Sequence, residues 1–353
     1  MGGTMKRATT KRVMVGGVPI GGGSEVTIQS MLNVPCADVK GNVEQAKALQ
    51  RAGCQIIRAA IENREAVRLI DAVKSAVDMP FVADIHFDYR LALEAVAAGA
   101  DKIRINPGNI GDEGRVRQVV SACKAKGIPI RVGVNSGSLE RQILEKYGSP
   151  TAEALVESAL YHVGLIERCD YDNIVVSIKS SSVHKMIESY RLMAEKRDYP
   201  LHLGVTEAGT ARMGLLKSAV GIGSLLLDGI GDTIRVSLTA DPIEEIAAAK
   251  DILRVCGLRR GGVNLISCPT CGRTRVALIP LAQQVEKALQ EVDKPITVAV
   301  MGCVVNGPGE ARAADVGIAG GDGEGLVFRK GEILYKVPQD KLVDALMDEI
   351  DRL

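Results

Sequence analysis

Tryptophan is absent from the chain, phenylalanine occurs three times, and aromatic residues make up 3% of the 353 positions. A sequence this poor in rings offers no platform on which bases or sugars could stack, which argues against single-stranded nucleic-acid and carbohydrate-binding modules. An excess of one charge is lacking too: 44 basic residues face 43 acidic ones, for a net charge of +1. No global field therefore recommends a nucleic acid or an anionic membrane as partner, and any anion site must be local. Long apolar runs are missing as well. The most apolar window, VGIGSLLLDGIG at 220–231, is short and broken by glycines, whereas a membrane span needs about 20 apolar residues. The N-terminal MGGTMKRATTKRV has no apolar core of a secretory signal, so the expected location is the cytoplasm. In that reducing setting the eight cysteines read as thiols or metal ligands rather than disulfides.

What the chain does contain is one repeated theme from residue 26 to 238. A short β-rich apolar run is followed by a polar turn and then by an amphipathic stretch such as NVEQAKALQRAG or YRLALEAVAAGA. The runs are VTIQSM (26–31), CQIIRAAI (54–61), PFVADIHF (80–87), DKIRINPG (101–108), PIRVGVNSG (129–137), NIVVSIKSS (173–181), LHLGVTEAG (201–209) and TIRVSL (233–238). Runs apolar on both faces and separated by helical patterns describe buried parallel strands with crossover helices. Eight such units predict a (β/α)8 TIM barrel over 1–257, closed by the helix DPIEEIAAAKDILRVCG with Asp241 as N-cap before Pro242. The theme then changes. Residues 258–353 hold strand-like NLISC and ITVAVMGC around a helix, a glycine-rich hairpin region and the closing helix QDKLVDALMDEIDRL, which predicts a smaller α/β domain. The glycine clusters GGVPIGGGS and GGDGEG lack the strand-to-helix context and the lysine of a phosphate-binding loop and read as turns.

Barrels of this kind carry their chemistry at the C-terminal ends of the strands. Those ends present Arg58, Asp84 and His86, Arg104 and Asn106, Arg131 and Asn135, Lys179, Glu207, then Arg235 and Ser237. Five of the eight strands deliver a cation to one rim. A lone strand-end arginine is commonly a solvated residue paired with a helix carboxylate, but five converging cations call for a multiply charged anion, and a phosphate or diphosphate ester fits. Glu207 would stand among them as the carboxylate of its rim position, a candidate general acid or base. Asp84 and His86 alternate with apolar residues and so face one side of their strand.

Cys36, Cys54, Cys123, Cys169 and Cys256 are scattered singly and read as buried structural thiols. Cys268 and Cys271 form a C-x2-C in SCPTCGRT, and Cys303 in MGCVVNGPGE supplies a third thiol. Three thiolates do not complete a tetrahedral metal site. The turn NGPGE could return Glu310 toward Cys303 as a fourth ligand, a set better suited to a [4Fe-4S] cluster with one distinctive iron than to structural zinc.

The motifs GGVPIGGGS, VADIHFDYRLAL, RINPGNIG, RVGVNSGSLE, LHLGVTEAG, GIGDTIRVSL, SCPTCGRT and above all GCVVNGPGEA resemble the 4-hydroxy-3-methylbut-2-enyl diphosphate synthase family, in its compact bacterial two-domain form, from about residue 11 to the end. The resemblance implies reductive ring opening of 2-C-methyl-D-erythritol 2,4-cyclodiphosphate to a linear allylic diphosphate. Two electrons from flavodoxin or a ferredoxin would enter through a [4Fe-4S] cluster. It assigns the cluster ligands to Cys268, Cys271, Cys303 and Glu310, with Glu310 displaced from the distinctive iron by a substrate oxygen. Substrate binding falls to Arg58, Asp84, Arg104, Arg131, Asn135, Lys179, Arg235 and Ser237, with His86 and Asn106 inside matching motifs, and the acid/base role to Glu207. It further implies a homodimer in which each cluster domain caps the partner's barrel. Two other classes compete: an aldolase or lyase barrel with Lys179 as Schiff-base nucleophile and a structural zinc, and an electron carrier or iron–sulfur sensor, which would have no use for the cationic rim.

Overall fold

The computed structural model describes residues 9–106, 108–259, 261–290, 292–303 and 311–353. The chain divides into two compact units, Met1–Arg259 and Arg260–Leu353.

In the first unit, β1 (Val13–Val15) and β2 (Val18–Ile20) form an antiparallel hairpin, and eight further strands run parallel to one another. These are β3 (Thr27–Met31), β4 (Ile56–Ala60), β5 (Phe81–Asp84), β6 (Lys102–Ile105), β7 (Ile130–Asn135), β8 (Ile174–Lys179), β9 (His202–Leu203) and β10 (Thr233–Ile234). Each pairs with its successor from β3 to β8, β10 bridges β9 and β3, and a parallel bridge from Val176 to Leu201 closes the ring. The result is the (β/α)8 barrel that the periodicity predicts. A helix follows each of the eight barrel strands, and for seven of the eight units the sequence writes a capped helix start. Asp38, Asn63, Asp88, Asp112, Thr151, Ser182 and Asp241 each accept a backbone N–H of the first turn, satisfying donors that a helix leaves orphaned.

The outer faces of the strands and the inner faces of the helices share one apolar core that includes Ile28, Ile57, Phe81, Ile103, Ile130, Ile174 and Leu203. Each such side chain contributes about 1.5–3 kcal/mol by leaving water. The inward faces differ. Strand residues there are largely polar or charged, and a small separate apolar cluster of Val15, Ile20, Ile56 and Val82 closes the N-terminal end. The β1–β2 hairpin supplies half of that floor, so GGVPIGGGS is not turn alone, as the sequence reading had it. Its first glycine pair, Gly16–Gly17, turns the hairpin with Gly16 at φ +53°, and the signal was the apolar VMV and VPI flanking it.

The last two barrel strands are shorter than their apolar runs. Regular pairing ends after Leu203 and Ile234, where Gly204 lets the backbone approach so closely that a Cβ would stand 2.8 Å from the Arg235 carbonyl oxygen. Freed from the ladder, the segment 205–209 turns, and Glu207 takes φ +50°.

The second unit is a five-stranded mixed sheet. β11 (Asn264–Ser267), β12 (Thr297–Met301) and β13 (Val316–Gly320) are parallel, while β14 (Glu324–Arg329) and β15 (Glu332–Pro338) continue it antiparallel. Helices Leu278–Leu289 and Leu342–Asp351 contribute Leu278, Val285, Leu346 and Ile350 to a core with Val298, Val300, Ile318 and Val327. No helix among the described residues is long and apolar enough to cross a membrane.

Candidate active site

A cavity of about 360 Å³ opens at the C-terminal mouth of the barrel. Its lining includes Arg58, Asp84, His86, Arg104, Asn135, Lys179 and Glu207 from the expected rim, joined by the turn Ser136–Ser138 and by Thr206. That volume suits a small ligand.

The electrostatic centre is Asp84. Its carboxylate takes Arg104 Nη1 at 3.1 Å on one oxygen and Arg58 Nη2 at 3.2 Å on the other, with His86 Nε2 at 3.7 Å. The strand register sets this up, because Arg104 lies directly opposite Asp84 on the adjacent β6. Burial alone would raise its pKa, but Arg58 and Arg104 outweigh that and hold it well below the usual carboxylate range. Burial pushes Arg58 down to about 10 against the pull of Asp84. The Lys179 ammonium is pushed well below its ordinary range, by burial first and then by Arg58, Arg235, Arg131 and Arg104.

Four expected rim residues lie off the cavity wall. Arg131 is fully buried and reaches Gln29 Oε1 at 3.5 Å through Nη1, while Nε and Nη2 have no hydrogen-bond partner among the described residues. Arg235 stands 4.0 Å from Glu245 Oε2, and burial raises the pKa of that carboxyl against the pull of Arg235. Asn106 is buried and braces the wall, donating to Ser138 Oγ at 3.3 Å and accepting from Gly108 N at 3.2 Å. Ser237 is half-buried.

Sequence reasoning passed over Lys102 and His202, both fully buried. The available signal was the two-residue period: Lys102 precedes Arg104 by two, so both side chains enter the barrel. It also passed over Glu245, because a buried carboxylate on a crossover helix carries no strand-end signature. With Lys102, six basic side chains (Arg58, Lys102, Arg104, Arg131, Lys179 and Arg235) gather in the barrel against Asp84, Glu207 and Glu245. Such an excess in a low dielectric stands ready for an anion of several charges.

Gly133 makes room for this arrangement. A Cβ there would meet Arg104 Nε at 2.5 Å and Nη2 at 2.9 Å. Gly133→Ala should therefore leave the barrel folded but displace the guanidinium, lowering kcat/KM on the order of 10²-fold. Steady-state kinetics beside an unchanged circular dichroism spectrum would check it.

In the second unit, Cys268 follows β11 and Cys303 lies just beyond the neighbouring β12, so the two parallel strands bring both thiols to one sheet edge. Arg275 N donates to Gly302 O and Gly302 N to Cys268 Sγ at 3.1 Å, tying the C-x2-C turn to that edge. Cys271 is exposed, and its thiol pKa is lowered by the Arg273 backbone N–H and then the Arg273 side chain. All eight cysteines are free. Among the described residues no group of three or more His, Cys, Asp or Glu side chains is gathered to hold a metal, and Glu310 lies outside those residues.

A family model described as the GcpE TIM-barrel domain matches residues 10–250, and one described as the GcpE protein C-terminal domain matches 264–352. The chain belongs to the GcpE family. Members similar to it include a Clostridium perfringens protein, 57% identical over 349 residues that cover 99% of this chain and 100% of the relative. A Geobacter sulfurreducens protein is 53% identical over 98% of each chain. Both are named 4-hydroxy-3-methylbut-2-en-1-yl diphosphate synthase (flavodoxin). Among solved structures, dihydropteroate synthases from Stenotrophomonas maltophilia and Xanthomonas albilineans each align with a TM-score of 0.51, at 14% and 16% identity, covering 69% of this chain and 96% of theirs. At such identities GcpE and those enzymes share the barrel fold alone.

Proposed function

We infer that this chain is an oxidoreductase that opens 2-C-methyl-D-erythritol 2,4-cyclodiphosphate reductively to (E)-4-hydroxy-3-methylbut-2-enyl diphosphate, with loss of water, in isoprenoid precursor synthesis. The observation that carries the reading is the cationic cavity at the barrel mouth, in a chain that matches named synthases over nearly its whole length. Substrate diphosphate would lie against Arg58, Arg104 and Lys179, whose charge stabilises the phosphate oxygen as its bond to carbon breaks. Glu207 lines the same cavity and would protonate the departing hydroxyl. Arg131 and Arg235 stand behind these groups and would supply field rather than contact.

We place the substrate chemistry in the barrel and the electron-transfer group in the second unit, held by Cys268, Cys271 and Cys303 with Glu310. The donor set supports a [4Fe-4S] cluster there: three free thiols on one turn and sheet edge, one shifted toward thiolate and one accepting a backbone N–H. When bound, the cluster supplies electrons one at a time. Flavodoxin as their donor follows the relatives' names. A homodimer is part of the proposal, supported by the exposed Met213, Leu216, Val220 and Leu227 on helix Ala211–Leu227. Eight unpaired cysteines suit the cytoplasm.

The test is anaerobic purification with iron, acid-labile sulfide and zinc measured per chain, followed by turnover of the cyclic diphosphate with reduced flavodoxin. About four iron and four sulfide per chain are expected, falling in Cys303→Ser and in Glu310→Ala. One zinc without sulfide, or no turnover by cluster-loaded protein, would overturn the reading. The depressed Lys179 ammonium is the one feature that favours an imine-forming lyase instead; borohydride trapping of a substrate adduct would reveal it.

A further inference from the structure

We propose that Lys102 is a positioning residue for the anion site, acting on it from beneath through Arg58 and Arg131. Lys102 lies on β6 two residues before Arg104, so its Cβ enters the barrel on the same face, roughly 7 Å nearer the floor. Its register partner on β5 is Val82, a member of the apolar floor built by Val15, Ile20 and Ile56. The ammonium is fully buried, and Nζ has no hydrogen-bond partner among the described residues. His202, also fully buried and with no hydrogen-bond partner on either ring nitrogen among the described residues, lies within its field. Arg58 pairs in register with the same Val82 from its other side, and Arg131 lies on the adjacent β7; burial first, and then the charges of Arg131 and Arg58, push the Lys102 ammonium well below its ordinary range.

A buried amine without a partner is expensive to keep. Methionine would fill the same space with no such penalty, so packing does not explain the lysine. Its position does. In its protonated form, which burial opposes and an arriving anion favours, the amine repels the guanidinium heads toward the mouth, where the anion binds, and at this depth the field is little screened by salt. Lys102 is absent from the cavity lining, so its effect passes through the two arginines rather than through contact.

The inference rests on the proposed reaction only for the identity of the natural anion, so inorganic diphosphate serves as an independent probe. Wild-type holoenzyme, Lys102→Met and Lys102→Gln would be compared by calorimetric titration with inorganic diphosphate, by kcat and KM for the cyclic diphosphate, and by thermal unfolding. Both substitutions should weaken diphosphate binding and raise KM about tenfold, leave kcat within about threefold, and raise the unfolding temperature of the methionine variant. Unchanged diphosphate affinity would overturn the proposal, as would variants that bind less and also unfold at lower temperature or fail to fold, since Lys102 would then be structural. A wild type that ignores inorganic diphosphate would overturn it too. A wild type that binds inorganic diphosphate more tightly than the variants yet never turns over the cyclic diphosphate would instead remove the proposed reaction and leave this inference standing.

Discussion

Glu207→Gln is expected to lower kcat by about 10²–10⁴-fold while KM moves by less than about threefold. Two carboxylates line the cavity, Asp84 and Glu207. Asp84 is gripped by two guanidiniums and held ionised, so it has no proton to give at neutral pH. Glu207 lines the same cavity with no ion-pair partner among the described residues, so its carboxyl is the one of the two not clamped by guanidiniums. Its backbone reinforces the assignment. A φ of +50° is uncommon for a residue with a Cβ and costs on the order of 1 kcal/mol or more. The turn that imposes it also aims the side chain into the cavity. Glutamine keeps the shape and loses the proton, so binding should survive and turnover should not. Equal losses in kcat and 1/KM would assign Glu207 to binding instead.

Asp84→Asn should have the largest effect on stability. Asp84 is 1% exposed, and removing one partner of a buried charge cluster costs about 3–5 kcal/mol, because the remaining charges are left uncompensated. For a unit of this size that corresponds to a fall of roughly 6–20 °C in the barrel's unfolding temperature. The pH dependence has a definite sign. The folded-state pKa of Asp84 lies below its unfolded value, so its contribution is complete above the unfolded carboxylate range, near pH 4, and is lost as the pH falls through the folded value. Wild type and Asp84→Asn should therefore differ most at neutral pH, and their melting temperatures should converge under strong acid. Parallel melting curves down to pH 2 would show that Asp84 contributes through packing rather than charge.

The floor of the barrel shows where sequence reading stops. Position at the end of a strand identified Arg104, and alternation along that strand puts Lys102 on the same inward face. Alternation does not tell at what height in the barrel they lie, because height depends on the stagger between neighbouring strands. Arg104 and Lys102 share that face, yet one meets Asp84 at the mouth and the other ends beside an apolar floor contributed by the hairpin. Asn106 sits two residues beyond Arg104, and its hydrogen bond to Ser138 joins residues 32 positions apart, a link that local sequence does not carry. The Gly204 crossing, which ends β9 early and turns Glu207 into the cavity, depends on a close approach to Arg235 that no local pattern records.

By itself, then, the sequence determined eight strand–helix units, the capped helix starts of seven of them, a cationic barrel mouth and three thiols in a separate unit. Those features are set by local periodicity and by residue chemistry, both of which are written along the chain. Only the tertiary structure decided which cations line the cavity and which stand behind it, that Asp84 is clamped while Glu207 has no ion-pair partner among the described residues, and that Lys102 is fully buried off the cavity wall. Charge, burial and reach at these positions depend on neighbours that the closed ring of strands brings from far along the chain, and an electrostatic environment exists only once those neighbours are in place.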